Sequence, residues 1–242
     1  MGESVVPRAL DLFSGTGAVG DRLREWGFEV VTLDSNPRCK ATFCCNILDW
    51  DYKQFPPGYF QVIAAGVPCQ EYSVAKTRGT RKMEEADKLV DSVFEILRYF
   101  QPNLWWIENP RGGFLKSRQP MQNVAFIDVD YCQFSDFGYQ KPTRIWGPQK
   151  ITCLPDVLCA NSCNQMVLRP NGRWGHRFQL GGYKMKHSTR QKYRTPPRLI
   201  DYLLQAFEPG LPLVEPPPVG DPGLKGPMFL RKMPSQGGRE FL

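Results

Sequence analysis

Residues 8–20 read RALDLFSGTGAVG, and the succession of residue types in this stretch predicts a strand, a turn and a helix. Residues 8–12 form a short, mostly apolar run, which suits a buried strand. Gly15, Gly17 and Gly20 then follow at G-x-G-x-x-G spacing. Glycine allows a tight turn and lets a ligand come close to the backbone. An amphipathic helix is expected over 17–26, closed by Gly27. The spacing is equally compatible with an ordinary strand-to-helix turn.

The same alternation continues downstream. Residues 28–34 (FEVVTLD) predict a second strand ending in an acid, and residues 60–66 (FQVIAAG) another, opening into the loop VPCQEYSVAKTRGTRK. Across 84–100, Leu89, Val93, Ile96, Leu97 and Phe100 recur at helical spacing. Pro102 stops that helix, and 103–107 (NLWWI) predicts a strand ending at Glu108. Strands separated by helical stretches define an open, mostly parallel α/β sheet. Ligands of such sheets sit beyond the carboxyl ends of the strands. Phe13, Ser14, Gly15, Gly17, Asp34, Cys69 and Glu108 all fall at such ends, so one shared site is expected.

The length of 242 residues is enough for one well-buried domain with an appendage. No apolar run approaches the ~20 residues needed to span a bilayer. The amino terminus, MGESVVPRAL, lacks a charged-then-apolar export pattern, so an intracellular protein is expected, nuclear in a eukaryote and otherwise cytoplasmic. Eight cysteines in a reducing compartment serve as core residues, metal ligands or nucleophiles rather than staples. The net charge of +7 is concentrated at 76–82 (KTRGTRK) and 184–198 (KMKHSTRQKYRTPPR), which favours a polyanionic partner.

Individual residues carry chemistry. Asp34 can accept from two ribose hydroxyls at once, or it can cap the turn that begins at Asn36-Pro37. Asp49 can accept from an adenine amino group with Trp50 beside the ring, or it is a surface acid in a turn. Cys69 follows an apolar strand on a loop at the expected crevice, a place that favours reactivity over packing. Glu108, after Trp105-Trp106-Ile107, is placed for proton donation, or it caps the Asn109-Pro110 turn.

Four motifs, DLFSGTGAVG, GVPCQEYS, IENP and FGYQKPTRIW, stand in the order and approximate spacing of those of the cytosine-5 DNA methyltransferase family. The chain resembles that family over residues 8–150, with a weaker match at 194–204. The resemblance implies a Rossmann-like S-adenosylmethionine-dependent methyltransferase fold with a small irregular recognition region, and DNA as partner. It implies that Cys69 adds to carbon 6 of cytosine, that Glu108 holds ring nitrogen 3, and that Arg144 contacts the base carbonyl oxygen. Pro68 would border the cofactor. The loop 70–83, with Gln70, Ser73, Lys76, Arg78 and Arg81, would close over the extruded base and its phosphates.

The sequence also departs from the family. Glu-Asn-Val is Glu-Asn-Pro, and Pro142 replaces the first arginine of Gln-x-Arg-x-Arg, a loss that Lys141 can offset. Only about 45 residues separate these motifs from the final helix, so 151–193 is expected to be a reduced recognition region with salt-sensitive, phosphate-dominated binding. That small region is also compatible with RNA, since one branch of the family modifies tRNA. A catalytically silent binding subunit is a further alternative, opposed by the retention of Cys69, Glu108 and Arg144. Residues 1–150 are expected to be catalytic, 194–208 to return as a helix, and 209–242 to be a disordered Pro/Gly-rich tail. Cys153, Cys159 and Cys163, with His176 or His187, are candidate ligands of a structural zinc ion, against a reading as ordinary reduced cysteines.

Overall fold

The computed structural model describes residues 6–178 and 189–207. The expected tail and His187 lie outside these residues.

A six-stranded sheet organises the molecule, in the order β2 (Glu29–Leu33), β1 (Arg8–Leu12), β3 (Val62–Gly66), β4 (Leu104–Pro110), β6 (Pro142–Trp146) and β5 (Phe126–Asp130). The first four run parallel, while β6 is antiparallel to both of its neighbours. Chain order reverses around β1, which has β2 on one side and β3 on the other. Such a switch point opens a crevice beyond the strand ends. Ala9, Leu10 and Leu12 are wholly buried because helices cover both faces of the sheet.

Helix α1 (Ala18–Glu25) begins at Gly17, whose φ of 82° lies in the left-handed region that glycine tolerates. It packs closely on the sheet at Gly20. A Cβ there would lie 3.2 Å from both Asp11 Oδ2 and Thr32 Cγ2. On the same face, α5 (Pro197–Leu204) packs its Leu199, Ile200 and Leu203 into the cluster that holds Leu23 of α1. Arg22 forks onto the two oxygens of Asp201 at 2.7 and 2.8 Å, and Trp26 Nε1 donates to Asp201 at 2.8 Å. The opposite face is covered by α2 (Met83–Phe100), which buries Val90, Val93, Ile96, Leu97 and Phe100.

Strand β4 runs further than the sequence suggests. Antiparallel β6 takes up its outer edge, so Glu108 sits within the strand, opposite Gly66 on one side and Ile145 on the other. After a single-turn helix, α3 (Gln149–Thr152), the region from 153 onward holds a hairpin of β7 (Met166–Leu168) and β8 (Trp174–His176), outside the main sheet. A short helix, α4 (Thr189–Tyr193), precedes α5. Among the described residues, no helix is long and apolar enough to cross a membrane.

Candidate active site

The turn after β1 is built on left-handed backbone at Phe13, Gly15 and Gly17, with φ of 59°, 50° and 82°. Gly15 N–H donates to Asp34 Oδ2 at 2.8 Å, and Asn36 N–H donates to Asp34 Oδ1 at 2.8 Å. Asp34 therefore caps its own turn and also ties the ends of β1 and β2 together. Each carboxylate oxygen keeps acceptor capacity for a further donor. The side-chain-free backbone at Gly15 and Gly17, beside an oriented carboxylate at the switch point, fits a nucleoside-type cofactor. Of the residues expected at an adenine, Trp50 lies in the core and Asp49 is at the surface. Trp50 is 5% exposed and packs against Phe43, Tyr52 and Phe55 as a core residue, because burying so large an apolar ring is favourable. Asp49 is exposed on the short turn Ile47–Asp49.

The loop carrying Pro68 and Cys69 leaves β3 and is pinned to β4 by Asn109, which is wholly buried and donates its Nδ2 to Val67 O at 2.8 Å. Cys69 is half-buried. Burial pushes its thiol above the ordinary cysteine range, the charge of Glu108 pushes in the same direction, and Lys141 pulls it down. Cys69 follows three residues after Gly66, which pairs with Glu108 across β3 and β4.

Around Glu108 the side chains converge. Tyr131 donates its hydroxyl to Glu108 Oε1 at 3.0 Å, and Lys141 Nζ lies 3.5 Å from the same oxygen. Lys141 also sits over the Tyr131 ring, 4.4 Å from its centre. Burial works against the Lys141 ammonium, but Glu108 and then Tyr131 outweigh it and hold the group well above the usual lysine range. Burial, followed by Glu108, pushes the Tyr131 phenol up as well. Burial pushes up the phenol of Tyr193, at the end of α4, the charge of Cys69 adds to the rise and Lys141 opposes it.

The position of Arg144 corrects the expectation that it reaches the base. Opposite residues of an antiparallel pair share a face and successive residues alternate. Arg144 pairs with Asn109 and Asp128, whereas Glu108 pairs with Ile145. Its guanidinium is thus on the other face of the sheet. There it forks onto Asp128, with Nε and Nη2 each at 2.8 Å from a carboxylate oxygen, and lies 3.8 Å from the Phe126 ring centre. The cation that meets Glu108 is Lys141, which was expected to offset the arginine that Pro142 replaces. Its side chain is 12% exposed.

Two cations of the 70–83 loop are engaged within the loop itself. Arg81 donates to the carbonyls of Glu71, Ser73 and Lys76. Lys76 Nζ lies 2.6 Å from Glu71 Oε2, and Ser73 Oγ accepts from Ala75 N–H. These contacts hold the loop in shape. Gln70 and Arg78 are exposed.

The metal-ligand set is corrected by one residue. Cys153 is exposed and lies apart, whereas Cys132 joins Cys159, Cys163 and His176 in a group able to hold a metal ion. Sequence reasoning missed Tyr131, Tyr193 and Cys132. The count of eight cysteines was a signal for the last, but no spacing rule links residue 132 to residue 159 before folding.

A strand-order switch followed by a glycine turn, with a thiol after β3 and a carboxyl on β4 paired to an ammonium, fits the Rossmann-like methyltransferase class. The chain belongs to the C-5 cytosine-specific DNA methylase family, which it matches over residues 8–146. It is 35% identical over 217 residues to the "Probable DNA (cytosine-5)-methyltransferase" of Frog virus 3 (isolate Goorha), covering 81% of this chain and 98% of that one. It is 30% identical over 112 residues to the type II methyltransferase M.HpaII of Haemophilus parainfluenzae, covering 43% of this chain and 31% of that one. Among solved structures, the Entamoeba histolytica methyltransferase EhMeth aligns with a TM-score of 0.42 at 14% identity, covering 58% of this chain and 52% of that one.

Proposed function

We propose that this chain methylates carbon 5 of cytosine in DNA through a covalent bond to Cys69. The observation that carries this reading is the placement of Cys69, three residues past Gly66, beside Glu108, which pairs with Gly66 and meets Lys141 at 3.5 Å. S-adenosylmethionine would supply the electrophilic methyl group, held by the turn at Phe13, Ser14, Gly15 and Gly17 and by Asp34, with Pro68 on the border toward Cys69.

The chemistry follows from the groups present. Carbon 5 of cytosine is a poor nucleophile. Addition of the Cys69 thiolate to carbon 6 makes the ring an enamine that is nucleophilic at carbon 5. Glu108 donates a proton to ring nitrogen 3 and accepts from the exocyclic amine, which selects cytosine and spreads the charge that develops. Tyr131 and Lys141 fix the Glu108 carboxyl through a hydroxyl and an ammonium on one oxygen, leaving the second oxygen for the base. Once carbon 5 carries the methyl group, a base such as water takes the carbon-5 proton, the bond from carbon 6 to sulfur breaks to release the Cys69 thiolate, and Glu108 recovers the proton from ring nitrogen 3.

Lys141 takes the place that Pro142 vacates. Its charge also favours the Cys69 thiolate against burial. The base must leave its stack to reach this crevice. Exposed Gln70 and Arg78, together with Arg173 and Trp174 on the β7–β8 hairpin, are placed to meet the nucleic acid.

A duplex oligonucleotide containing 5-fluorocytosine tests the reading, since the fluorine cannot leave as a proton does. Incubation with S-adenosylmethionine should give an SDS-stable adduct, lost in Cys69→Ser. An adduct with tRNA and none with any DNA would make RNA the substrate. No adduct with either would overturn the mechanism.

A further inference from the structure

Three sulfurs and one imidazole nitrogen, from Cys132, Cys159, Cys163 and His176, lie within 4.8 Å of one another. They come from separate stretches: the turn Tyr131–Gln133 after β5, the loop between α3 and β7, and the end of β8. His176 Nε2 is 3.5 Å from Cys159 Sγ and 3.4 Å from Cys163 Sγ. A tetrahedral zinc ion with sulfur at about 2.3 Å and nitrogen at about 2.0–2.1 Å holds those two atoms roughly 3.6 Å apart. The spacing found matches. Hydrogen bonding accounts for it poorly, because one ring nitrogen has a single proton or a single lone pair to offer two sulfurs.

The surroundings also call for a metal. From 158 to 178 the buried residues are Gln165 and His176, both polar, and the two strands of the hairpin have three residues each. No apolar side chain of this segment is fully buried, and a bound ion adds stability to such a segment. The ligand loop is anchored in addition by Asp130, whose Oδ2 accepts from Cys159 N–H at 2.8 Å and from Gln140 Nε2 at 2.8 Å. Cys132 and His176 are buried and the other two sulfurs are half-buried, so the site is closed, as structural zinc sites are.

We infer that Cys132, Cys159, Cys163 and His176 bind one structural zinc ion that fastens the β7–β8 hairpin to the catalytic sheet. The ion does no chemistry on the base. It sits one residue from Tyr131, the hydroxyl partner of Glu108, and so ties the hairpin to the turn that positions the catalytic carboxyl.

The test is the metal content of the full chain, purified without chelator from zinc-supplemented cells. Elemental analysis should find about one zinc per chain. His176→Cys should keep the metal as a four-sulfur site, and Cys153→Ser should keep it too. Cys132→Ala and His176→Ala should lose most of it. Cobalt exchanged into the wild type should show sulfur-to-cobalt charge transfer and the intense visible bands of tetrahedral coordination. Wild type carrying under about a tenth of an equivalent, or a weak six-coordinate cobalt spectrum, would overturn the site. Full zinc in soluble Cys132→Ala, or its loss in Cys153→Ser, would overturn this ligand set. None of these readouts depends on methyl transfer.

Discussion

Lys141 Nζ lies 3.5 Å from Glu108 Oε1, while Arg144, three residues further on, turns to the far face of the sheet and grips Asp128. The difference follows from strand alternation, which puts the two cations on opposite faces of the sheet. One cation meets the Glu108 carboxyl and the other pairs with Asp128.

Removing the Lys141 ammonium should therefore slow methyl transfer at saturating DNA. Lys141→Met is expected to lower kcat about 10²-fold, as loss of one preorganised electrostatic partner does, and to lower stability as well, because Glu108 loses its cation. Lys141→Arg should recover part of the rate. A wild-type kcat in Lys141→Met, measured by label transfer to a cytosine duplex, would remove Lys141 from the mechanism.

Alkylation of Cys69 reads its electrostatics without substrate. The thiolate is the reactive form, and both burial and Glu108 raise the thiol pKa while Lys141 lowers it. At a fixed pH near neutrality, Glu108→Gln should react faster with iodoacetamide than wild type, and Lys141→Met slower. Mass spectrometry of the Cys69 peptide gives the rates. Equal rates in all three would mean that the charges do not reach the sulfur.

Arg144 should matter for stability rather than for the base. Arg144 and Asp128 are 9% and 14% exposed, and breaking such a pair from one side leaves an unpaired charge, at a cost of about 3 kcal/mol. Arg144→Met should show that loss in urea unfolding. Adding Asp128→Leu should restore most of it, because the pair as a whole contributes little net stability. A double variant as unstable as the single one would contradict this account.

Asp11 gives a pH signature. It is 2% exposed, and burial raises its carboxyl to about 7 from an ordinary 3.8, although Gly20 N–H donates to it at 3.0 Å. A folded pKa above the unfolded one means that the folded state holds the extra proton between these values. Stability from this group is thus complete below pH 3.8, falls as pH rises, and is lost above about 7. Asp11→Asn keeps the acceptor but does not titrate. Its stability relative to wild type should rise from pH 4 to 7, as followed by denaturant titration. Parallel profiles would show that Asp11 ionises normally.

Local chemistry made much of this readable before folding. Periodicity placed β1, α1, β2, β3 and α2 because each is a run with one dominant repeat, and it placed α5 from its own apolar pattern. The order of the motifs around Gly15, Cys69 and Glu108 carried the family and the reaction, since a nucleophile loop and an acid-bearing strand are each a few consecutive residues. The direction of a side chain is another matter. Whether Lys141 or Arg144 meets Glu108 depends on the antiparallel register of β6 beside β4, and no property of QKPTR sets that register alone. Trp50 looked like a cofactor wall until the rings around it were known, because a large apolar ring prefers whichever surface buries it best. Cys132 joined the metal group, and Tyr131 the carboxyl, through the approach of segments 23 or more residues apart in the chain. Contacts of that kind arise from packing of the whole molecule, which short-range sequence patterns do not encode.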